Sequence, residues 1–129
     1  MPRYLTDTHV LMWWWKDDQR LSSTVREILA DRGNEVFAPT VCAWEIANKV
    51  RIGKLPEMAE EIHDYDQLVT DEGFAHLDLR QEQALSAGLL PGPHRDPFDR
   101  LIAAQALSEK LIVLTVDPAF AGFGCKVLW

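Results

Sequence analysis

Cysteine is scarce in this chain of 129 residues: Cys42 and Cys125 stand alone and far apart. Neither has a second metal-binding residue of the right spacing beside it, and no histidine–cysteine set supports zinc. Both are expected to be buried thiols rather than the halves of a bridge. Positive charge is also in short supply. Lys and Arg number 13 against 20 Asp and Glu, a formal net charge of -7, which taken alone argues against a nucleic-acid partner. No apolar run approaches the roughly 18 residues of a membrane span, and "VLMWWW" is too short for one. The opening "MPRYLTDTHV" lacks the basic-then-apolar order of a secretory signal. Internal repeats, low-complexity tracts and linkers are missing too. What remains is the profile of one cytoplasmic globular domain with a real core, 47% hydrophobic and 26% charged.

The apolar pattern alternates between two periods. "RYLT" reads as a strand with Asp7 at its carboxyl end, and "THVLMWWW" as a short buried helix. "STVREILADR" is a helix opened by a serine cap, and "EVFAP" a strand stopped by Pro39. "TVCAWEIANKVRIGKL" is the next helix, with Thr40 as its cap and Gly53 as its terminator. Its expected stripe is Ala43, Ile46, Ala47 and Val50, with Val41, Trp44 and Ile52 adding buried surface on other sides. "PEMAEEIHDYDQLV" is read as one further helix, "FAHLDL" as a strand and "RQEQALSAGLL" as a helix. After the loop "PGPHR" come the helix "DPFDRLIAAQALSEK", the doubly covered strand "LIVLTV" and a last strand "KVLW". Strands alternating with helices predict an α/β three-layer sandwich around a central, mainly parallel sheet, with residues 1–129 forming a single domain.

In such sheets, sites form beyond the carboxyl ends of the strands. Five acids are expected at that edge. Asp7 follows the first strand and Asp117 the fourth; Glu45 lies one turn into the helix after the second; Asp96 and Asp99 open the helix that leads to the fourth. Each also has an ordinary structural reading. Asp96, Pro97 and Asp99 fit an N-cap, first helical residue and third position, a variant of the capping box. Glu45 pairs naturally with Lys49, four residues on. Asp7 and Asp117 suit caps or turns.

The joint reading differs from any single one. Carboxylates converging within about 5 Å repel by roughly 3 kcal/mol per pair at an effective dielectric near 20. A fold tolerates that only when protons or cations neutralise the cluster. An all-oxygen set suits a hard divalent ion, Mg2+ or Mn2+. Thr115, two residues before Asp117, would orient a carboxylate or serve only as a strand hydroxyl. His94 would touch a phosphate or sit in solvent. Trp13, Trp14 and Trp15 are expected in core and interface.

Four stretches, "LTDTHVLMWW", "WEIANKVRIGKL", "HRDPFDRLIAAQA" and "LTVDPAF", with the ending "VLW", span nearly the whole chain. Together they resemble the PIN-domain ribonucleases, specifically the VapC-like toxins of toxin–antitoxin pairs. The resemblance carries the acidic set onto Asp7, Glu45, Asp99 and Asp117. Asp96 belongs to the "DPFD" form of the motif. His9 and Thr40 depart from the commoner residues at their positions without removing an acid. The resemblance implies a magnesium-dependent endoribonuclease acting on transfer or ribosomal RNA. It also implies a homodimer, and a cognate antitoxin whose C-terminal segment covers the active-site groove.

On this view the acidic balance is less of an obstacle. Two divalent ions would bring -7 to about -3. Lys49, Arg51 and Lys54 after Glu45, with Arg95 and Arg100 around Asp99, would meet an RNA backbone. Two other classes compete: a non-catalytic partner-binding module on the same fold, and a metal-dependent phosphatase or phospho-acceptor domain.

Overall fold

The computed structural model describes residues 2–129. Five strands, β1 (Arg3–Thr6), β2 (Glu35–Pro39), β3 (Ala75–Leu77), β4 (Ile112–Leu114) and β5 (Val127–Leu128), form one sheet. The order is β3-β2-β1-β4-β5 and every pairing is parallel. β1 is central, with Leu5 opposite both Phe37 and Val113. Seven helices connect the strands: α1 (Thr8–Trp15), α2 (Ser23–Ala30), α3 (Thr40–Arg51), α4 (Tyr65–Asp71), α5 (Gln81–Leu89), α6 (Pro97–Glu109) and α7 (Ala119–Gly122).

Right-handed crossovers assign these helices to layers. The chain steps one way from β1 to β3 and the other way from β3 to β5. Helices between β1 and β3 therefore cover one face, and those after β3 the opposite face. The strand order reverses between β2 and β4, on either side of β1, so a crevice opens beyond the end of β1. The main core sits around β1, where Leu5, Val10, Leu11, Val113, Leu114 and Phe120 are fully buried. A smaller cluster of Met12, Ile46 and Met58 joins α1, α3 and the segment after α3. Among the described residues no helix is long and apolar enough to cross a membrane.

Three local expectations change. Residues 56–69 do not form one helix. Pro56–Met58 and Glu61–Asp64 are 3-10 turns, and α4 begins only at Tyr65. Met58 is fixed in the smaller cluster and Val69 in the main one, so the two residues do not share one helical stripe. In α3 the buried stripe is Cys42, Glu45 and Ile46; of the expected Ala43, Ile46, Ala47 and Val50 only Ile46 is buried. Trp44 is 60% exposed and Ile52 46%, so the helix presents apolar surface outward and turns a carboxylate inward. Thr40 is not a cap. Pro39 occupies that position, and the Thr40 hydroxyl donates to Asp78 Oδ1 at 2.7 Å. Gly53 does end α3, with φ of +81°, a conformation that favours glycine.

Candidate functional site at the carboxyl edge of the sheet

Asp7 leaves β1 at the crevice and caps α1. Its Oδ1 accepts the Val10 N–H at 2.8 Å. Its Oδ2 accepts the Thr115 hydroxyl at 2.6 Å. Thr115 follows β4, the neighbour of β1, and its oxygen accepts the Asp117 N–H at 3.0 Å. Asp117 then caps the next turn, accepting the Ala119 N–H at 2.9 Å. A hydroxyl has one proton, so Thr115 donates to Asp7 and accepts from Asp117. Two acids distant in sequence are thus joined through a single side chain.

A second threonine does the same work on the other side. Thr8 is 5% exposed and its hydroxyl lies 2.6 Å from Glu45 Oε1 and 3.3 Å from Cys42 Sγ. The proton order that satisfies all three runs from the Cys42 thiol to Thr8 to the Glu45 carboxylate. Burial pushes the Cys42 thiol well above its ordinary range, and Asp7, Glu45 and Asp99 add to the rise. It is a protonated donor, not a nucleophile. Thr8 and Cys42 were not singled out as site residues by the sequence. The signal for Thr8 was available: a hydroxyl beside Asp7, on a helix apolar apart from His9.

Glu45 is 5% exposed, and its Oε2 meets Lys49 Nζ at 2.6 Å. The pairing foreseen four residues apart is present, but the carboxylate is buried rather than on an open face. Asp96 caps α6, its Oδ1 accepting the N–H groups of Phe98 and Asp99 at 2.9 and 3.1 Å. The Asp99 carboxylate turns to His94, with Oδ2 2.9 Å from Nε2. α3 packs against α6, and the rings of Trp44 and Phe98, the sequence neighbours of Glu45 and Asp99, lie 5.4 Å apart.

Burial raises the Asp7 carboxyl above its ordinary value, against the opposing hydrogen bonds from Thr115 and Val10. It pushes Asp99 up to about 6 from 3.8, opposed by the His94 hydrogen bond and helped by the charges of Asp96 and Asp117. Both acids resist ionising because burial withdraws water from their charged forms. Among the described residues no group of three or more His, Cys, Asp or Glu stands in a metal-holding arrangement. In this conformation Glu45 takes its positive partner from Lys49, and Asp99 takes its hydrogen bond from His94.

The basic residues divide. Arg51 donates to Asn48 Oδ1 at 2.6 Å and is exposed, as are Lys54 and Arg95. Lys49 is held by Glu45. Arg100 is no backbone-binding arm. Its guanidinium donates to the carbonyls of Ala87 at 3.0 Å, His94 at 2.9 Å and Gly88 at 3.5 Å, and to that of Leu90. It also lies 5.6 Å from the Phe123 ring centroid. These carbonyls lie at the end of α5 and in the loop before α6, so Arg100 ties that loop down.

Buried carboxylates, arranged by threonines at the switch point of a five-stranded parallel sheet, define a class of α/β proteins with an acidic crevice. The family profile of the PIN domain matches residues 4–124, and the chain belongs to that family. It is similar to the solved structure of VapBC2 from Rickettsia felis bound to a DNA fragment from their promoter. The TM-score is 0.71 with 17% identity, covering 97% of this chain and 96% of that one. It is also similar to FitAcB from Neisseria gonorrhoeae, with a TM-score of 0.68, 21% identity and coverage of 98% and 96%. A toxin–antitoxin complex from Klebsiella pneumoniae gives 0.62, 14%, 98% and 96%. At these identities the likeness is one of fold. No curated protein has a sequence that matches this one.

Proposed function

We propose that this protein is a metal-dependent endoribonuclease, using Mg2+ or Mn2+ to hydrolyse phosphodiester bonds in RNA. The observation that carries the reading is the burial of Asp7 and Glu45 at the switch point, each wired by its own threonine. Family membership supports it, since the acids occupy the motif positions from which the resemblance drew its activity. The donor set fits a hard divalent ion: carboxylate oxygens, two of them, on Asp7 and Asp99, held above their ordinary pKa by burial.

Asp7, Glu45 and Asp99 are the residues that would hold the ion, with Asp117 assisting. A bound divalent cation lowers the pKa of water and offsets charge building on phosphate oxygens. The protein's own part is orientation. Thr115 fixes the plane of the Asp7 carboxylate. Thr8 fixes Glu45. His94 holds Asp99 by the oxygen that accepts its hydrogen bond, and Asp96 anchors the helix end that carries it. Burial pushes the Asp99 carboxyl up to about 6, and a divalent cation held there would favour its ionised form.

The same proposal assigns the protein as a cytoplasmic, growth-inhibiting toxin acting on transfer or ribosomal RNA. A cognate antitoxin would cover the groove with its C-terminal segment and reach the carboxylates with an arginine. The toxin–antitoxin complexes among the structural neighbours support this. A homodimer is supported by a continuous apolar face. Trp44, Phe98 and Leu101 line one hollow, and Leu101 continues into a second lined by Ala84, Ala87 and Pro97. Leu85 and Leu89 on α5 are 62% and 82% exposed. Unpartnered apolar surface of this extent suits a self-complementary contact.

The Lys49–Glu45 pair favours one other reading, a partner-binding module that has no metal. Cleavage of RNA with Mg2+ and with EDTA separates the two. Metal-dependent cleavage that Asp7→Asn abolishes, in a variant that still folds, supports the nuclease; cleavage surviving in Asp7→Asn refutes the assignment.

A further inference from the structure

Beside the acids lies a hollow of about 460 Å³ between the loop before α6 and helix α7, lined by Pro93, His94, Arg95, Ala119, Gly122 and Phe123 among others. Its two walls are each hydrogen-bonded to a carboxylate of the site. On one side His94 Nε2 meets Asp99 Oδ2 at 2.9 Å. On the other the Ala119 N–H donates to Asp117 Oδ1 at 2.9 Å. A ligand in the hollow would therefore extend directly from the acidic centre.

The lining has two parts. Pro93, Ala119, Gly122 and Phe123 give a largely apolar interior, and the His94 ring stands edge-on to Phe123 with centroids 5.6 Å apart. Arg95 is exposed at the rim and has no ion-pair partner among the described residues. Arg100 stiffens the structure from behind. It holds the His94 carbonyl at 2.9 Å and packs on Phe123. The volume suits a small planar group. An unpaired cation at the mouth favours an anionic ligand and disfavours a basic peptide.

We infer that this hollow is a nucleotide subsite: it receives the base next to the scissile phosphate, against Pro93 and Phe123, while Arg95 contacts the adjoining phosphate. The inference rests on the ribonuclease reading and deepens it. The hollow would then contribute to where the RNA is cut, because stacking strength and pocket shape differ among bases.

Gly122 provides a clean test. A Cβ built there meets no atom within 4 Å, and its φ lies outside the left-handed region. Gly122 lines the hollow, so Gly122→Leu narrows it at a position whose backbone accepts a Cβ. Fluorescein-labelled single-stranded RNA is titrated in EDTA against wild type, Gly122→Leu and Arg95→Glu. Cut-site profiles on a mixed-sequence RNA pool are then read in Mg2+. Gly122→Leu is expected to weaken binding by about ten-fold and to change base preference at one position flanking the cut. Arg95→Glu is expected to weaken binding to all sequences and to flatten the salt slope by about 1. If wild type cleaves RNA while both variants match it in affinity and cut-site profile, the subsite is wrong and the nuclease reading stands. A labelled arginine-containing basic peptide is titrated alongside, and if the variants lose affinity for it and not for RNA, the hollow belongs to a protein partner and the inference falls. If wild type neither binds nor cuts RNA, both readings fall.

Discussion

Thr115 and Asp7, 108 residues apart in sequence, share a 2.6 Å hydrogen bond between neighbouring parallel strand ends. Through it the first carboxylate of the site acquires a fixed orientation, and through the same oxygen Asp117 is drawn to the crevice. Thr115→Val removes the donor to Asp7 and the acceptor for the Asp117 N–H while preserving shape. Loss of a residue that orients a metal ligand typically costs about 10–100-fold in activity or metal affinity. Thr115→Ser, which keeps the hydroxyl, should stay near wild type. Steady-state RNA cleavage across a Mg2+ titration checks this; a Val variant equal to wild type would show that the hydrogen bond is dispensable.

Asp99 makes stability depend on pH in a defined direction. Its carboxyl rises from 3.8 to about 6 because folding buries it. The folded state therefore holds the proton more tightly than the unfolded state. Asp99's contribution is fully present below about pH 4 and is lost as pH rises toward 6. A divalent ion binds the ionised form, so its stabilising effect must grow over the same interval. Thermal melts from pH 4 to 8 should show the wild type falling relative to Asp99→Asn in EDTA. The Mg2+-induced rise in Tm should be larger at pH 7.5 than at pH 5. A metal effect independent of pH contradicts the assignment.

Lys49 is the cation that Glu45 has in this conformation. Replacing it with Met leaves a buried carboxylate bonded only to Thr8. Lys49→Met should lower stability in EDTA and enlarge the rise in Tm on adding Mg2+, because no ammonium competes for Glu45. Equal shifts in both proteins would separate Glu45 from the metal.

Arg100→Ala removes charge-assisted hydrogen bonds to carbonyls at the end of α5 and in the following loop. A cost of about 2–3 kcal/mol is expected, with faster amide exchange around residues 90–95. Arg100→Lys should not restore it, since a point cation cannot reach carbonyls arranged for a planar fork. Urea unfolding measures the first effect, and full recovery by Lys would contradict the clamp.

The architecture was legible wherever a period was long and a stop signal sharp. β1, α1, β2 and α6 fall where their apolar patterns, Pro39 and the Asp96-Pro97 opening put them. The acids were legible by their places at strand ends and helix starts. What could not be read was rotation and tertiary wiring. Counting alanines turned α3 the wrong way, because Trp44 looked more like core than Glu45 did. Only packing against α1 shows that Thr8 lies over the carboxylate. Arg100 looked like one more surface cation, since a side chain that serves backbone carbonyls leaves no pattern in sequence. The break in residues 56–69 was hidden for a related reason: Met58 and Val69 have helical spacing but belong to different clusters.

Manganese soaked into crystals at pH 7.5, followed at a wavelength where it scatters anomalously, addresses the site itself. The account predicts an anomalous peak bounded by oxygens of Asp7 and Asp99, with Glu45 or a water on Glu45 completing the shell. That peak should disappear in Asp7→Asn. Saturating manganese with no peak at the carboxyl edge of β1, in a crystal whose solvent channels reach it, would contradict the claim that these acids form one cation site.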